Sequence, residues 1–249
     1  MAVPIFVQAA MDPSIIMGIY RGCDQWCMYC PATAHCLAYR CNPEIESGQR
    51  DIHRSLAERV DEGVTFMKQL CEAEGRSTRE LDDISNEAPR TPAAIQIDDP
   101  IERMGRRYAH VSDAYLISRR DYPFEMTRRD SGPTPLEVLA WFHFLVPAKI
   151  FRALYGAAQA ARGYDALQED SLVSAKVALI GIDRSSEAIA AIAVEEDDPR
   201  LELLQALLRR LGREMDARFP LARAVVRPGL DCPARSLVEA SSGASDARA

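Results

Sequence analysis

Apolar residues fall at Ile52, Leu56, Val60, Val64, Met67 and Leu70 in "RDIHRSLAERVDEGVTFMKQLCEAE". That three- and four-residue spacing predicts a helix over 50–74, closed by Gly75. A second predicted helix runs from Pro100 to about Arg119, with Met104, Tyr108, Val111, Tyr115 and Leu116 on one side and Asp98 and Asp99 placed to cap it. Between the two, "NEAPRTPAAIQIDDP" is broken often enough by proline to be a connection. "RRDSGPTPLEV" breaks the chain again, so that Thr134 caps and Pro135 opens a third helix to about Ala161. Its apolar surface is broad, with Leu136, Leu139, Phe142, Val146, Ile150 and Leu154. Pro147 is expected to kink it, because the ring removes one backbone donor and crowds the preceding turn. The fourth predicted helix covers about 169–195 and is apolar nearly all round from Val177 to Ile182, which makes it central. Pro199 starts the fifth, which reaches Phe219 with Leu201, Leu204, Leu207, Leu208 and Leu211 facing inward. No alternating strand pattern of useful length accompanies these helices, although "ARAVVRP" suits a short extended piece. The pattern therefore predicts an all-α fold, a bundle of about five main helices.

The same reading divides the chain. Residues 1–22 are expected to be a loosely ordered extension, with Met11 and Met17 as alternative starts. Residues 23–41 form a cysteine-rich loop, 42–232 the helical bundle, and 233–249, small and polar, a disordered tail. At 249 residues such a chain buries a sizeable core without covalent staples, so the cysteines are not needed to hold it folded. The longest apolar stretches are interrupted by charge before a membrane-spanning length. The N-terminus lacks the basic region of a secretory signal and carries Asp12 and Pro13 within its apolar part. The expectation is a cytoplasmic protein with no membrane span, in which clustered thiols hold metal more often than they form disulfides. A net charge of −7, with basic pairs at Arg106, Arg119, Arg128 and Arg209 dispersed among acids, argues against a nucleic-acid surface. The expected partner is another protein or a small anionic ligand.

The candidate chemistry sits in "CDQWCMYCPATAHCLAYRC", which holds five of the seven cysteines between Cys23 and Cys41. Cys23, Cys27, Cys30 and Cys36 converge only if the segment folds tightly around something, and thiolates that close repel unless a cation offsets them. Zinc and an iron-sulfur cluster are the two usual cations, and four reduced thiols without metal are the plain alternative. A structural zinc site draws its ligands from two separated knuckles, whereas one continuous run here supplies all four, as in loops that wrap a cubane. Pro31 after Cys30 matches the proline that follows a cluster ligand in such loops. Cys41 is then a spare or alternative ligand, while Cys71 on a helix and Cys232 before a proline are read as structural.

Family resemblances arise at these residues. "CMYCPATAHCLAYR" resembles the cluster segment of WhiB-like iron-sulfur proteins through Cys27, Cys30, Pro31, Cys36, Leu37 and Tyr39. The likeness covers about fourteen residues, and that family's upstream cysteine and later glycine and tryptophan turn have no counterpart at the same spacing. It implies a [4Fe-4S]-binding loop and not that family's role in transcription. Cys23, Cys27 and Cys30, with Tyr29 before the last of them, are also similar to the radical S-adenosylmethionine signature. The barrel strands and glycine-rich segment of that family are missing, and Cys36 would fill the iron it leaves open. The whole chain, this loop followed by "SAKVALIGIDRS", resembles uncharacterised bacterial helical proteins of unknown function.

Several polar residues interrupt the apolar faces. His143, Lys149 and Arg152 lie within "LAWFHFLVPAKIFRAL", and Lys176 and Asp183 are seven apart on one face of the fourth helix. Buried charges need partners. One reading is an interhelical pocket in which His143 serves as acid or base, Lys149, Arg152 and Lys176 bind an anion, and Asp183 orients one of them. The other is that the long side chains reach the surface and Asp183 pairs with Lys176 or Arg184. No Glu precedes any of the four histidines, His35, His53, His110 and His143, by three positions, so the di-iron pattern of ferritin-like bundles is absent. Arg103 and His110, with six residues between them, resemble the loose motif of HEPN-type helical ribonucleases, which the negative charge speaks against. Three functions follow: a cluster-binding redox or sensing protein, a zinc-stabilised helical binding module, or a metalloenzyme using the pocket around His143.

Overall fold

The structure is a computed structural model that describes residues 12–40, 97–119 and 128–231, with Thr65, Lys68, Gln69, Cys71, Glu72, Gly75, Ser77 and Tyr122. Helices occupy Leu37–Arg40 (α1), Pro100–Ile117 (α2), Pro135–Ala160 (α3), Ala166–Glu195 (α4) and Pro199–Arg218 (α5), and no extended strand occurs among the described residues. The fold is all-α. The chain divides into two compact units, Met1–Pro43 with Ile97–Ala249 and Glu44–Gln96. In the second unit Thr65, Lys68, Gln69, Cys71 and Glu72 are helical. The remainder of the helix expected over 50–74 lies outside the described residues, as does the tail expected over 233–249.

Three of the long helices begin where the sequence places a cap followed by proline. The Asp99 side chain accepts from the Ile101 amide at 2.8 Å, and that of Asp198 from the Arg200 amide at 2.9 Å. Thr134 and Glu137 form a reciprocal capping box, the Glu137 carboxylate accepting from the Thr134 amide at 2.7 Å. The buried Glu137 carboxylate also takes the Arg129 guanidinium at 2.5 Å. Although burial pushes the Glu137 acid up, the Thr134 amide and the Arg129 charge outweigh it and hold the acid below its usual range. α4 starts three residues before the expected 169, because Asp165 and Ala166 join a turn in which the Leu167 amide donates to the Tyr164 carbonyl at 2.9 Å. α3 runs through Pro147 as one helix.

The four long helices close a ring: α3 packs on α2 and α4, and α5 on α4 and α2, with the α3–α4 contact the most extensive. Tyr108, Tyr115, Phe142, Leu139, Leu179, Leu204 and Leu208 fill the centre and are fully buried. α3 is long and apolar enough to cross a membrane by length and composition, and 44% of its most apolar window is buried inside the protein. Within it Leu139, Phe142, Ile150 and Ala153 are fully enclosed. At the far ends of α4 and α5 the Glu196 carboxylate accepts from the Tyr115 hydroxyl at 2.6 Å and from Arg119 at 2.7 Å, which ties the end of α2 to the turn between α4 and α5.

The close α3–α4 approach depends on side chains that are missing. A Cβ at Gly181 would stand 2.7 Å from Val146 Cγ2 and 2.9 Å from Phe142 Cδ1, and one at Gly156 would stand 2.9 Å from Ser171 Cβ. Gly181→Ala is expected to force this packing apart at a cost of about 1–3 kcal/mol. For a chain of this size each kcal/mol lowers the melting temperature by roughly 2–4 °C, so a thermal melt by circular dichroism should fall by several degrees. An unchanged melt would mean that α3 and α4 slide apart freely at this point.

Candidate metal centre

The N-terminal segment folds as a chain of short turns. Single 3₁₀ turns at Ile19–Arg21, Cys27–Tyr29 and Thr33–His35 lead into α1, and each is closed by backbone bonds such as Cys30 N to Cys27 O at 3.1 Å and Cys36 N to Thr33 O at 3.1 Å. Between Cys23 and Cys27, Gln25 has φ 59°, the left-handed region that costs a residue with a side chain about 1–2 kcal/mol. The Asp24 carboxylate spans that residue by accepting from the Trp26 amide at 3.1 Å. The two ends of the segment meet: Arg40 pairs with Asp12 at 2.6 Å, the Ile16 amide donates to the His35 carbonyl at 3.0 Å, and His35 Nδ1 lies 2.8 Å from the Ser14 carbonyl. Ile15, Ile19 and Leu37 are buried. Residues 12–22 of the expected extension are thus packed and continuous with the cysteine loop.

Trp26 fastens the loop to the bundle. It is 2% exposed, stacks on Trp141 of α3 at 5.1 Å with the rings 7° apart, and meets Phe142 and Tyr29 edge to face at 6.0 Å and 5.2 Å. The Arg184 guanidinium of α4 lies 5.7 Å from the Trp26 ring and donates to the Asp24 carboxylate at 3.1 Å, while Trp141 Nε1 donates to the Asp24 carbonyl at 2.9 Å. After α5 the chain returns to the loop from the other side. Arg227 donates to the Gly22 carbonyl at 3.1 Å, and Asp231 receives both Arg227 and Lys176 at 2.7 Å. Gly229, at φ 75°, has no room for a side chain, since a Cβ there would stand 2.5 Å from Ile16 Cδ1.

Cys23, Cys27, Cys30 and Cys36 all border one narrow cleft, closed by Trp26, Tyr39 and Leu230. Cys23 and Cys30 also face a second cleft, lined by Arg184 and Arg227. Cys23, Cys30, Cys36 and Cys71 are unbridged thiols. Among the described residues no three of His, Cys, Asp or Glu are gathered tightly enough to hold a metal ion, so the four thiols surround the cleft without converging on one point. Burial pushes the thiols of Cys23 and Cys30 up, and a thiol held protonated becomes a ligand only by losing that proton. No family model, curated protein or solved structure matches this chain.

Two further features of the loop suit a thiolate-ligated metal group. Trp26 Nε1 is buried without a hydrogen-bond partner, a donor of the kind that tunes cluster sulfurs. Lys149 of α3, 5% exposed, places Nζ 3.4 Å from the carbonyl of Arg21, two residues before Cys23. The donor set is sulfur throughout, the chemistry that zinc and iron-sulfur clusters select.

The polar residues expected to form an interhelical pocket have separate surroundings. His143 is buried with Nδ1 2.7 Å from the Ala140 carbonyl and Nε2 4.0 Å from the Asp113 carboxylate, and burial holds its pKa down. Arg152 pairs with Asp170 at 2.6 Å. Lys176 and Asp183 share the face of α4 that periodicity assigns them, and the returning C-terminal segment covers it: Lys176 reaches the Val225 carbonyl and Asp231, and Asp183 takes Arg223 at 2.8 Å. Only Lys149 of the five is turned toward the cysteine loop, through its bond to Arg21. Trp26, Asp24, Arg184 and Arg227 are the site residues that sequence reasoning does not find. Trp26 lies inside the cysteine run and is the one with a local signal. Cys41, Cys232 and His53 lie outside the described residues.

Proposed function

We propose that this chain binds a [4Fe-4S] cluster through Cys23, Cys27, Cys30 and Cys36 and serves as a redox or sensing protein whose cluster controls a partner or the bundle it is docked on. The observation that carries this reading is the common cleft bordered by all four cysteines. One continuous run supplies all four cysteines, the arrangement of loops that wrap a cubane, whereas a structural zinc site draws its ligands from two separated knuckles. When bound, the cluster supplies a one-electron couple. The chain supplies the thiolates, the Trp26 N–H and the packing that keeps the loop against α3 and α4.

The test is purification of the full chain without oxygen, followed by an absorption spectrum and elemental analysis. The expected outcome is a brown, oxygen-sensitive protein with broad absorption near roughly 400 nm and about four irons per chain. A colourless protein with about one zinc would replace the cluster by a structural clip and make the chain a zinc-stabilised helical binding module. A protein with neither metal would end both readings.

A further inference from the structure

The Ile19–Arg21 turn, the first turns of α4 and the segment that returns after α5 border a cavity of about 160 Å³ that no cysteine lines. Close approach of the backbone shapes it. A Cβ at Gly22 would stand 3.2 Å from Val173 Cγ1 and 3.3 Å from Arg227 Cγ, and Arg227 Nη1 donates to the Gly22 carbonyl at 3.1 Å. Four charged side chains line the cavity, two of each sign. Asp170 is taken by Arg152, which donates to its two oxygens at 2.6 Å and 2.7 Å, and Arg227 is taken by Asp231 at 2.7 Å. Arg21 and Glu169 are left over. Both are exposed, and neither side chain has a hydrogen bond or ion pair among the described residues. Opposite charges that border one cavity without meeting across it leave a gap between them. Ile19, Val173, Met17 and Val226 add an apolar wall, of which the last two are exposed. Apolar surface around a few convergent polar groups is the composition of a small-molecule site.

The pairing of signs selects the ligand. A simple anion drawn to Arg21 also meets the carboxylates of Glu169 and Asp170, and a simple cation drawn to Glu169 meets Arg21 and Arg227. One molecule that carries both charges satisfies both sides. We propose that this cavity binds a free α-amino acid with a short aliphatic side chain, its carboxylate on the Arg21 guanidinium, its ammonium on the Glu169 carboxylate and its side chain against Ile19 and Val173. The planar guanidinium suits a carboxylate, which it holds by two parallel N–H···O bonds. The volume lies well below the roughly 300–1,000 Å³ of sites for larger ligands, which limits the side chain to a few carbons. No cysteine takes part, so the site stands whether the loop holds a cluster, zinc or no metal.

The test is calorimetric titration of the full-length protein with L-valine, with isovalerate, which lacks the ammonium, and with isobutylamine, which lacks the carboxylate. The same titrations are made on Arg21→Gln and Glu169→Gln. Both side chains are exposed, so both variants should melt like wild type in the absence of ligand. Wild type is expected to bind L-valine at least about tenfold more tightly than either analogue. Each variant should weaken L-valine by about tenfold or more, the loss that follows removal of one charged hydrogen-bond partner. Glu169→Gln should bind isovalerate more tightly than wild type does, because a repelling carboxylate is gone, and Arg21→Gln should do the same for isobutylamine. A residue that only shapes the cavity would weaken all three ligands together. Equal affinity of wild type for L-valine and isovalerate would reduce the cavity to an anion site and overturn the proposal. Binding of L-valine that both variants retain would place it elsewhere on the chain and overturn it too. Absence of L-valine binding at millimolar concentration would refute it outright.

Discussion

Cys36→Ser is expected to abolish the visible absorption and to leave less than half of the wild-type iron, while Cys71→Ser keeps both. Cys36 closes the last 3₁₀ turn before α1 and completes the ring of thiols around the cleft, and a serine hydroxyl is a hard, weakly acidic replacement for a soft thiolate. Cys71 belongs to the other unit of the chain and has no part in the cleft. The effect on folding should be of a different size. The core is built mostly from α2 to α5, with Trp26 the fully packed residue the loop adds to it and no cysteine among its members, and a metal that binds only the folded chain adds stability in proportion to the logarithm of its concentration over its dissociation constant. Cys36→Ser should therefore retain the far-ultraviolet helix signal and melt like chelator-treated wild type, with no further loss when chelator is added. If Cys36→Ser keeps its iron, the four-cysteine ligand set is wrong. If Cys71→Ser loses it, the site has been placed in the wrong part of the chain.

How much of this was legible beforehand follows the range of each interaction along the chain. The starts of α2, α3 and α5 are written in neighbouring residues, Asp99 with Pro100, Thr134 with Pro135 and Asp198 with Pro199, and the structure uses all three. Apolar spacing likewise showed which faces of α2, α3 and α5 turn inward, because a helix imposes that period locally, and the all-round apolar run of α4 marked it as central. It could not show what covers a polar face. Lys176 and Asp183 were correctly placed on one side of α4, yet their partners are Asp231 and Arg223 from a segment that folds back after α5. The four cysteines were grouped because they are close in sequence. The residues that aim them were not, since Arg184 meets Asp24 across 160 positions, Arg227 meets Gly22 across 205, and Trp141 meets Asp24 across 117. Such pairs leave no periodic trace.

Trp26 is where local and distant information join, and its truncation should give the largest loss of stability among single substitutions in the loop. Trp26→Ala removes a fully packed indole between Trp141, Phe142 and Tyr29, a change that costs about 3–5 kcal/mol in a buried aromatic site, with roughly 0.5–1.5 kcal/mol of that type of packing owed to each aligned ring pair. The resulting fall in melting temperature is about 10 °C for a protein of this size. The loss should be local first. Residues 12–40 are held to the bundle by this ring, the two ends of Asp24 and the Arg227 bond to Gly22, whereas the α2 to α5 core keeps its own contacts. Amide exchange and limited proteolysis should accordingly open the cysteine segment of Trp26→Ala before α3 and α4, and its metal should be released faster than from wild type. Trp26→Phe separates packing from polarity. Because Nε1 has no partner among the described residues, phenylalanine gives up no hydrogen bond and should cost less than about 1.5 kcal/mol in stripped protein. In metal-loaded protein the same variant should also shift the reduction potential if that N–H turns to the cluster sulfurs. Equal stability of Trp26→Ala and wild type would show that the loop is not fastened through Trp26, and the positions assigned to the four cysteines would fall with it.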